Sequence, residues 1–180
     1  MILTLLVAMD HNRLLGRGGG LPWHIREDMR RFRELTWGRV LIMGRKTWQS
    51  LPVTLHNRRL LVLSRTQPTT ISGCRTYSSL EELLRTADAM TNATEPVFVA
   101  GGAEVYELLL PCCTEARLTV VGSGEPPQSG DVYFPAPGLT FHVWEVTEHE
   151  KFLDGDPVLD FLYLKRRQPL KPLLAQSCAV

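Results

Sequence analysis

Short apolar runs alternate with segments of helical periodicity along the first two thirds of the chain. The runs have the length and aliphatic composition of strands, and the segments between them repeat apolar residues at helical spacing. Because continuous apolar strands suit a sheet that is covered on both faces, this alternation predicts a mostly parallel, helix-flanked sheet. The predicted strands are ILTLLVAM, RVLIMG, RLLVLSR, PVFVAG and ARLTVVG, and the predicted helices are the segment around Asp28, RKTWQSL, SLEELLRTA and GAEVYELLL.

The remaining segments follow other patterns. Ser79, followed three residues later by Glu82, forms a capping box that predicts the start of a helix. From Leu139 onward, FHVWEVTEHEKF and LDFLYLKRR flank the turn LDGDP, and we expect them to form an antiparallel strand pair at one edge of the sheet. Proline and glycine are concentrated in Ser123 to Gly130 and in Pro135 to Gly138, which predicts two loops.

The helix around Asp28 carries an acid where its pattern requires an apolar residue. At 100° per residue, Asp28 falls within the apolar arc that should face the interior. An isolated carboxylate in apolar surroundings is costly and needs a partner. The acid could anchor a buried network, the helix could be rotated so that the acid faces water, or a cationic, amidine-like ligand could complete the site. The arc contains Ile25, Met29, Phe32 and Leu35, whereas Arg26, Glu27, Arg30, Arg31, Arg33 and Glu34 lie outside it.

Composition narrows the class of protein. The chain has 180 residues, of which 44% are hydrophobic and 22% charged, and a formal net charge of +1, as is typical of one globular domain. The arginines are spread along the chain, so no nucleic-acid partner is indicated. The apolar start MILTLLVAM is short and lacks a basic leader, so we expect neither a membrane partner nor secretion. The cysteines lack metal or redox spacing, which predicts no metal site and a reduced, cytoplasmic protein; they are Cys74, Cys112, Cys113 and Cys178.

Two predicted strands end in glycine directly before a helix. Gly44 precedes RKTWQSL, and Gly101 and Gly102 precede AEVYELLL. Helix starts expose unpaired N–H groups and glycine permits close approach, so each is a candidate phosphate site, although each also fits a simple turn. A third strand ends at Arg65, and a basic residue there favours a 2′-phosphate and therefore NADPH over NAD. The sequence contains neither GxGxxG nor a P-loop.

Seven short motifs stand in register from Met1 to about Arg167. They are LPW, Asp28 with Phe32, IMGRKTW, VLSR, AGGAEVYE, Leu118 with Thr119, and GDVYFP. Together they resemble the dihydrofolate reductase family. The resemblance implies an α/β fold with an eight-stranded, mostly parallel sheet, an antiparallel C-terminal edge strand and flanking helices. It also implies NADPH-dependent reduction of 7,8-dihydrofolate to tetrahydrofolate for one-carbon metabolism, and antifolate inhibitors as further ligands. We expect one domain in residues 1–167, a tail in 168–180, and a monomer.

The resemblance assigns the chemistry to four side chains. Asp28 matches the carboxylate that accepts hydrogen bonds from the amino-pyrimidine edge of the pterin, and Thr119 matches the hydroxyl linked to that acid. Trp23 resembles the residue that helps to hold a water near the acid, and Leu21 resembles the residue that packs over the nicotinamide. Asp28 is expected to promote protonation of the imine nitrogen electrostatically and through water. From the sequence pattern alone, Thr119 would be interpreted as an ordinary strand residue and Trp23 as an aromatic residue of the core.

The resemblance also implies two binding surfaces. The predicted substrate residues are Leu6, Ala8, Asp28, Met29, Phe32, Leu51, Arg58, Ala100, Tyr106 and Thr119. Arg58 is expected to clamp the glutamate tail, because a planar guanidinium suits a carboxylate. Leu14 to Gly20 matches the mobile lid, and Gly101 with Gly102 matches a glycine pair joined by a cis peptide. The predicted cofactor residues are Ala8, Leu14, Leu15, Gly16, Gly20, Leu21, Gly44, Arg45, Lys46, Thr47, Leu63, Ser64, Arg65, Gly101, Gly102, Ala103, Glu104, Val105 and Tyr106.

Three features depart from the family pattern. Arg58 and Arg59 are adjacent and lack the usual preceding glycine and proline-rich turn, so either could clamp the carboxylate. Ala100 stands where the family has a larger branched residue, which predicts weaker antifolate binding. The run GRGGG predicts a more flexible open lid. The alternative functions are reduction of another heterocycle by the same fold, and nucleotide binding without catalysis.

Overall fold

The computed structural model describes residues 1–51, 54–65, 74–122, 126–135, 139–140, 142–155 and 157–168. Within these residues the chain forms an α/β fold with an eight-stranded sheet and a separate two-stranded sheet. The strands are β1 (Ile2–Asp10), β2 (Leu14–Gly16), β3 (Val40–Gly44), β4 (Arg59–Leu63), β5 (Cys74–Tyr77), β6 (Pro96–Val99), β7 (Glu115–Val121), β8 (Val132–Tyr133), β9 (Trp144–Phe152) and β10 (Leu159–Arg166). The helices are α1 (Arg26–Thr36), α2 (Arg45–Gln49), α3 (Leu80–Ala89) and α4 (Ala103–Leu109).

The large sheet has the strand order β5, β4, β3, β6, β1, β7, β10, β9. Neighbouring strands from β5 to β7 are parallel, whereas β10 runs antiparallel to both β7 and β9. The predicted sheet and its antiparallel C-terminal strand are therefore confirmed. The outermost position belongs to β9, and β10 lies between β9 and β7.

Two apolar clusters, one on each face of the sheet, hold the helices in place. Along β3, alternate residues belong to the two clusters, as expected of a strand covered on both faces. Helices α3 and α4 pack into the first cluster through Leu83 and Leu109. Helix α1 packs against the second through Phe32 and Leu35. No helix in the described part of the chain is long and apolar enough to span a membrane.

The sheet opens between β1 and β6 at the carboxyl ends of these strands. Pairing of β1 with β6 ends at Leu5 and Val99, whereas pairing of β1 with β7 continues to Asp10. Beyond the last β1–β6 pair, the Leu6 carbonyl accepts a hydrogen bond of 2.8 Å from the Tyr106 hydroxyl. Ligands of open α/β sheets bind in crevices at the carboxyl ends of strands, so this opening is the place to seek functional residues.

The helices and strands that the sequence predicts from local periodicity are present, and their ends differ from the predicted ones by a few residues. Ser79 caps α3 by accepting a hydrogen bond of 3.3 Å from the Glu82 backbone N–H, as the capping pattern predicts. The sequence did not reveal β5, whose residues CRTY contain no apolar run, nor β2 and β8, which exist through their mutual pairing. Parts of the predicted loops Ser123 to Gly130 and Pro135 to Gly138, and residues 169–180 of the predicted tail, lie outside the described residues.

Candidate active site

Helix α1 places Asp28 on the side that packs toward the sheet. Met29 is half-buried, and Phe32 and Leu35 contact the apolar cluster beneath the helix, as the predicted arc requires. Asp28 is itself half-buried and lies in the first helical turn, where a carboxylate interacts favourably with the helix dipole. This orientation favours a buried acid over a helix that is rotated toward solvent. On the opposite side, Arg26, Arg30, Arg33 and Glu34 are exposed.

The environment of Asp28 makes the acid easier to protonate. Its pKa is raised, chiefly because burial removes the carboxylate from water. Hydrogen bonding to the Thr119 hydroxyl and the positive charge of Arg31 act in the opposite direction without cancelling this effect. Thr119 is within reach because it pairs with Ala8 on β1 and with Phe161 on β10, on the sheet face beneath α1. A ligand that donates hydrogen bonds or carries positive charge would therefore stabilise the ionised acid.

The predicted substrate residues include an apolar group on the α1 side of the sheet. These residues contact one cluster built from β3, β4, β5 and β6. Tyr106 approaches from α4, and burial together with the charge of Asp28 raises the pKa of its hydroxyl, so it remains a neutral donor. The structure thus brings the acid, Thr119 and several apolar side chains to one region. The members of the apolar group are Leu6, Phe32, Leu51 and Ala100, with Ala8 and Met29 also half-buried.

Trp23 and Leu21 lie on the segment that leads into α1. Trp23 is half-buried against a cluster of Val121, Leu159 and Phe161. Its indole Nε1 is buried and has no hydrogen-bond partner among the described residues. Since a buried indole N–H requires a polar partner, this atom marks a polar position close to α1. Leu21 is exposed.

The glycine-rich segment before Leu21 forms a tight hairpin. Arg17 and Gly20 exchange backbone hydrogen bonds of 3.0 and 3.1 Å, and Gly18 (φ 60°) and Gly19 (φ 84°) occupy the turn between them. Two successive positive φ angles are typical of a type I′ turn, in which glycine is the least strained residue. The predicted lid therefore has a defined conformation in this structure, and its mobility stays a prediction.

An ion pair ties this hairpin to the loop that precedes β8. The Arg17 guanidinium donates to both carboxylate oxygens of Asp131, with Nε to Oδ1 at 2.8 Å and Nη2 to Oδ2 at 2.9 Å, and to the Pro126 carbonyl at 3.0 Å. The Gln128 N–H also donates to Asp131 at 2.8 Å. These hydrogen bonds, above all those from Arg17, lower the pKa of Asp131 to about 2. The carboxylate is therefore ionised throughout the physiological range.

Gly44 and the Gly101–Gly102 pair meet at the carboxyl ends of β3 and β6. The Gly44 N–H donates to the Gly101 carbonyl at 2.7 Å, and the peptide between Gly101 and Gly102 is cis, as the resemblance implies. A Cβ atom at Gly102 would lie 2.9 Å from Thr47 Oγ1, and one at Gly101 would lie 3.2 Å from the Tyr106 ring. Helices α2 and α4 begin here without side-chain caps, which leaves their first N–H groups available to an anionic ligand.

Charged side chains surround these helix starts. Arg65 is exposed and pairs with Glu104 at 3.1 Å. Because an ion pair between two exposed side chains contributes little free energy, Arg65 can release Glu104 and bind a phosphate instead. Arg45 donates to Gln49 at 3.0 Å, and Lys46 is exposed.

The other predicted cofactor residues differ in burial. Ser64 and Val105 are buried, whereas Leu63 and Ala103 are half-buried, as is Gly16 in the lid. Among the predicted cofactor residues, Leu14, Leu15 and Val105 have buried side chains and can face a ligand through their backbone alone.

The two adjacent arginines at the start of β4 point to different parts of the molecule. Arg58 donates to the Arg33 carbonyl at 3.1 Å and to Thr36 Oγ1 at 3.2 Å, so it lies against the end of α1. Arg59 instead donates to the Met90 carbonyl and to the Gly38 carbonyl. Arg58 is therefore the arginine on the side of Asp28.

Two charged residues of this region were not predicted as site residues. Arg31 falls just outside the apolar arc, 60° from Asp28 on the helical wheel, yet its side chain is mostly buried. Its position three residues after the acid is the signal that could have identified it. Asp131 appeared only within the motif GDVYFP, because its partner Arg17 lies 114 residues earlier in the chain.

Known proteins similar to this chain agree on one family. The dihydrofolate reductase family model matches residues 2–166. The dihydrofolate reductase of Neisseria meningitidis serogroup A is 40% identical over 135 residues, which cover 74% of this chain and 79% of the relative. That of Mycobacterium tuberculosis is 40% identical over 134 residues, covering 73% and 78%. The solved structure of dihydrofolate reductase from Enterococcus faecalis complexed with NADP(H) and RAB-propyl superposes with a TM-score of 0.80 at 26% identity, covering 93% of this chain and 97% of that one. The chain belongs to the dihydrofolate reductase family.

Proposed function

We propose that Asp28 is the carboxylate on which catalysis by this chain depends. As a family member, the chain is an NADPH-dependent oxidoreductase that reduces 7,8-dihydrofolate to 5,6,7,8-tetrahydrofolate. The observation that supports the role of Asp28 is a half-buried acid that lies beside apolar side chains and the Thr119 hydroxyl, and whose pKa is raised by burial. The amino-pyrimidine edge of the pterin supplies the N–H donors that such an acid needs.

The residues around Asp28 orient the substrate and control its protonation. Leu6, Phe32 and Leu51 provide apolar surface for the pterin ring, and orientation of the reacting carbon supplies much of the rate enhancement. Asp28 binds the far edge of the ring, so its negative charge favours protonation of the imine nitrogen without direct transfer. We assign Trp23, whose buried Nε1 needs a polar partner, to the water that carries this proton.

The glycine-lined region between β3 and β6 fits the diphosphate of NADPH. Gly44, Gly101 and Gly102 allow the backbone close approach, and the uncapped helix starts offer N–H donors. Bound there, NADPH supplies the hydride. The remaining assignments are Arg65, Ser64, Arg45, Lys46 and Thr47 to its phosphates, Tyr106, Ala8 and Leu21 to the nicotinamide side, and Leu14, Leu15, Gly16, Gly20, Leu63, Ala103, Glu104 and Val105 to further contacts.

Arg58 is the arginine that we assign to the glutamate tail of the substrate. Its hydrogen bonds to α1 hold the guanidinium at the end of the helix that carries Asp28, whereas Arg59 is held by the Met90 and Gly38 carbonyls. Burial and neighbouring Arg33 lower the Arg58 pKa, and the negative charge of a carboxylate ligand would oppose both effects. Replacing Arg58 should raise the KM for dihydrofolate more than replacing Arg59.

The variant Asp28→Asn tests the central assignment. It should fold and bind NADPH but lose activity at pH 7 by roughly 100-fold, because the ring loses the charge that promotes its protonation. Activity should recover in part as the pH falls, since protonated dihydrofolate no longer needs this promotion. NADPH oxidation with and without dihydrofolate measures both effects. Glu34→Gln, which removes an exposed carboxylate from the same helix, is the matched control; unchanged activity of Asp28→Asn at pH 7 would refute the assignment.

Ala100 is proposed to weaken antifolate binding. It is half-buried in the apolar group that we assign to the substrate site, and a small side chain there removes contacts with a bound inhibitor. Ala100→Ile should therefore tighten antifolate inhibition by several-fold, measured as the inhibition constant at fixed NADPH. An inhibition constant that does not fall contradicts the proposal.

The chain is further proposed to act as a monomer in the cytoplasm. Its described cysteines, Cys74, Cys112 and Cys113, are free thiols, which is compatible with a reducing compartment. Light scattering of the purified protein should give a mass near 20.3 kDa. A substrate panel that includes other heterocycles distinguishes the assigned reaction from the alternative reductase.

A further inference from the structure

Arg31 of α1 is held against the outer strands of the sheet. Its guanidinium carbon lies 4.1 Å from the centroid of the Phe161 ring and 5.0 Å from that of Tyr163. The same group donates hydrogen bonds to the Tyr163 hydroxyl and, at 3.0 Å, to Glu150 Oε2. The side chain is only 14% exposed. A cation stacked and hydrogen-bonded in this way is fixed in position rather than moving freely in solvent.

The surface that holds Arg31 adjoins the partner of Asp28. Phe161 pairs directly with Thr119 in the ladder between β10 and β7, and the Thr119 hydroxyl lies close enough to Asp28 to lower its pKa. Along α1, Arg31 follows Asp28 by three residues, which are neighbouring positions on a helix surface. The fixed cation and the half-buried acid therefore rest on adjacent strands of one sheet face. Charges that are partly removed from water interact more strongly than exposed ones.

We propose that Arg31 is a positioning residue that acts through Asp28, and that its fixed positive charge sets the pH range over which Asp28 is ionised before substrate binds. The proposal rests on the function assigned to Asp28 above. Without Arg31, burial alone would keep the acid protonated to higher pH, and fewer molecules would present a carboxylate to the pterin. The contacts with the Phe161 and Tyr163 rings hold the cation in place relative to the acid.

The other charged and titratable groups around the pair fall into two sets. Asp28 is faced by Tyr106 from α4, which stays neutral because its pKa is raised. Arg31 is faced by Glu27 on its own helix and by Glu150 on β9, of which Glu150 is 65% exposed and therefore screened. Beyond Tyr163, Arg117 lies 4.2 Å from the same ring and pairs with Glu115 at 3.5 Å. Both acids therefore offset the charge of Arg31 in part, Glu150 the less because it is exposed.

The direct test is the pKa of the Asp28 carboxyl, measured by carbon-13 NMR titration in the ligand-free protein, with Asp28→Asn used to assign the signal. Arg31→Gln should raise this pKa by about half a unit, the effect of one nearby charge at high effective dielectric. Arg31→Lys, which keeps the charge but not the planar guanidinium, should stay closer to the native value. Glu150→Gln should move the pKa downward. An Asp28 pKa that does not rise in folded Arg31→Gln overturns the proposal.

Should Arg31→Gln fail to fold, Arg31→Met, which keeps an apolar side chain against the Phe161 ring but removes the charge, decides: a raised Asp28 pKa supports the proposal, and an unchanged or lowered one overturns it. The pH profile of kcat/KM for dihydrofolate should move by the same amount as the NMR pKa, which a merely structural role for Arg31 would not produce. Absence of NADPH oxidation by the native chain with dihydrofolate would refute the assigned function, whereas the NMR titration would still test Arg31.

Discussion

The residue that most strongly determines this site is also unfavourable for folding. Asp28 lies among apolar side chains, and burial raises its pKa despite the hydrogen bond with Thr119 and the nearby Arg31. A half-buried carboxylate costs free energy when it is ionised, and the cost is recovered when a ligand supplies hydrogen-bond donors. Stability given up in the free protein is therefore available as binding energy for a ligand that donates hydrogen bonds to this acid.

Asp28→Asn should stabilise the free protein at neutral pH. The folded-state pKa of Asp28 is raised, so the native protein loses stability as the pH rises through the unfolded and then the folded pKa, and the asparagine variant does not. The gain should be on the order of 1 kcal/mol, or about 2–4 °C in Tm for a domain of this size, and should vanish at acid pH. Calorimetry at a series of pH values measures it. A Tm below that of the native chain at pH 7 contradicts the prediction.

At the scale of elements, the hairpin of residues 14–20 depends on contacts outside itself. Its turn is made by Gly18 and Gly19, which accept the positive φ angles easily but also leave the unfolded chain most flexible. The pairing of β2 with β8 and the ion pair between Arg17 and Asp131 compensate for this flexibility. Because the hairpin leads directly to Leu21 and Trp23, the position of these two residues depends on an acid more than a hundred residues away.

Asp131→Asn should weaken this connection in a pH-dependent manner. The folded-state pKa of Asp131 is about 2, below the value of about 4 expected in the unfolded chain, so its contribution is present above pH 4 and lost as the pH falls toward 2. The Tm of the variant should lie below that of the native chain at pH 7, and the difference should shrink between pH 4 and pH 2. Asp154→Asn, in the exposed turn between β9 and β10, is the control. A difference that is independent of pH contradicts the assignment.

For the whole molecule, the order of strands decides where the site lies. The first strand is central, between β6 and β7, and the sheet opens between β1 and β6 because their pairing stops at Leu5 and Val99. Helix α1 covers one side of this opening, while the glycine pair after β6 and the start of α2 lie at its rim. Residues from several distant segments therefore meet at one edge of the sheet.

Removal of residues 168–180 should leave the domain intact. Strand β10 ends at Arg166, whose guanidinium donates to the Cys113 and Leu110 carbonyls at 2.8 Å, and the Arg167 N–H donates to the Val143 carbonyl at 2.9 Å. All of these groups precede the cut. A chain that stops at Arg167 should keep its Tm within about 1 °C and its turnover of dihydrofolate. A larger loss of either would place the tail within the domain.

The sequence by itself determined what depends on neighbours a few residues apart. Helical periodicity located Asp28 in the apolar stripe of α1, and apolar runs located the buried strands, because both periods are properties of local backbone geometry. Short motifs were sufficient to place Gly44 and the Gly101–Gly102 pair at the ends of their strands.

Only the tertiary structure decided what depends on distant pairing. It placed β10 between β7 and β9, turned Arg31 onto Phe161, and directed Arg58 rather than Arg59 toward α1. It also joined Arg17 to Asp131. Such contacts leave no periodic trace, since long side chains can reach partners in several directions and the partner is brought close by the strand order of the whole sheet.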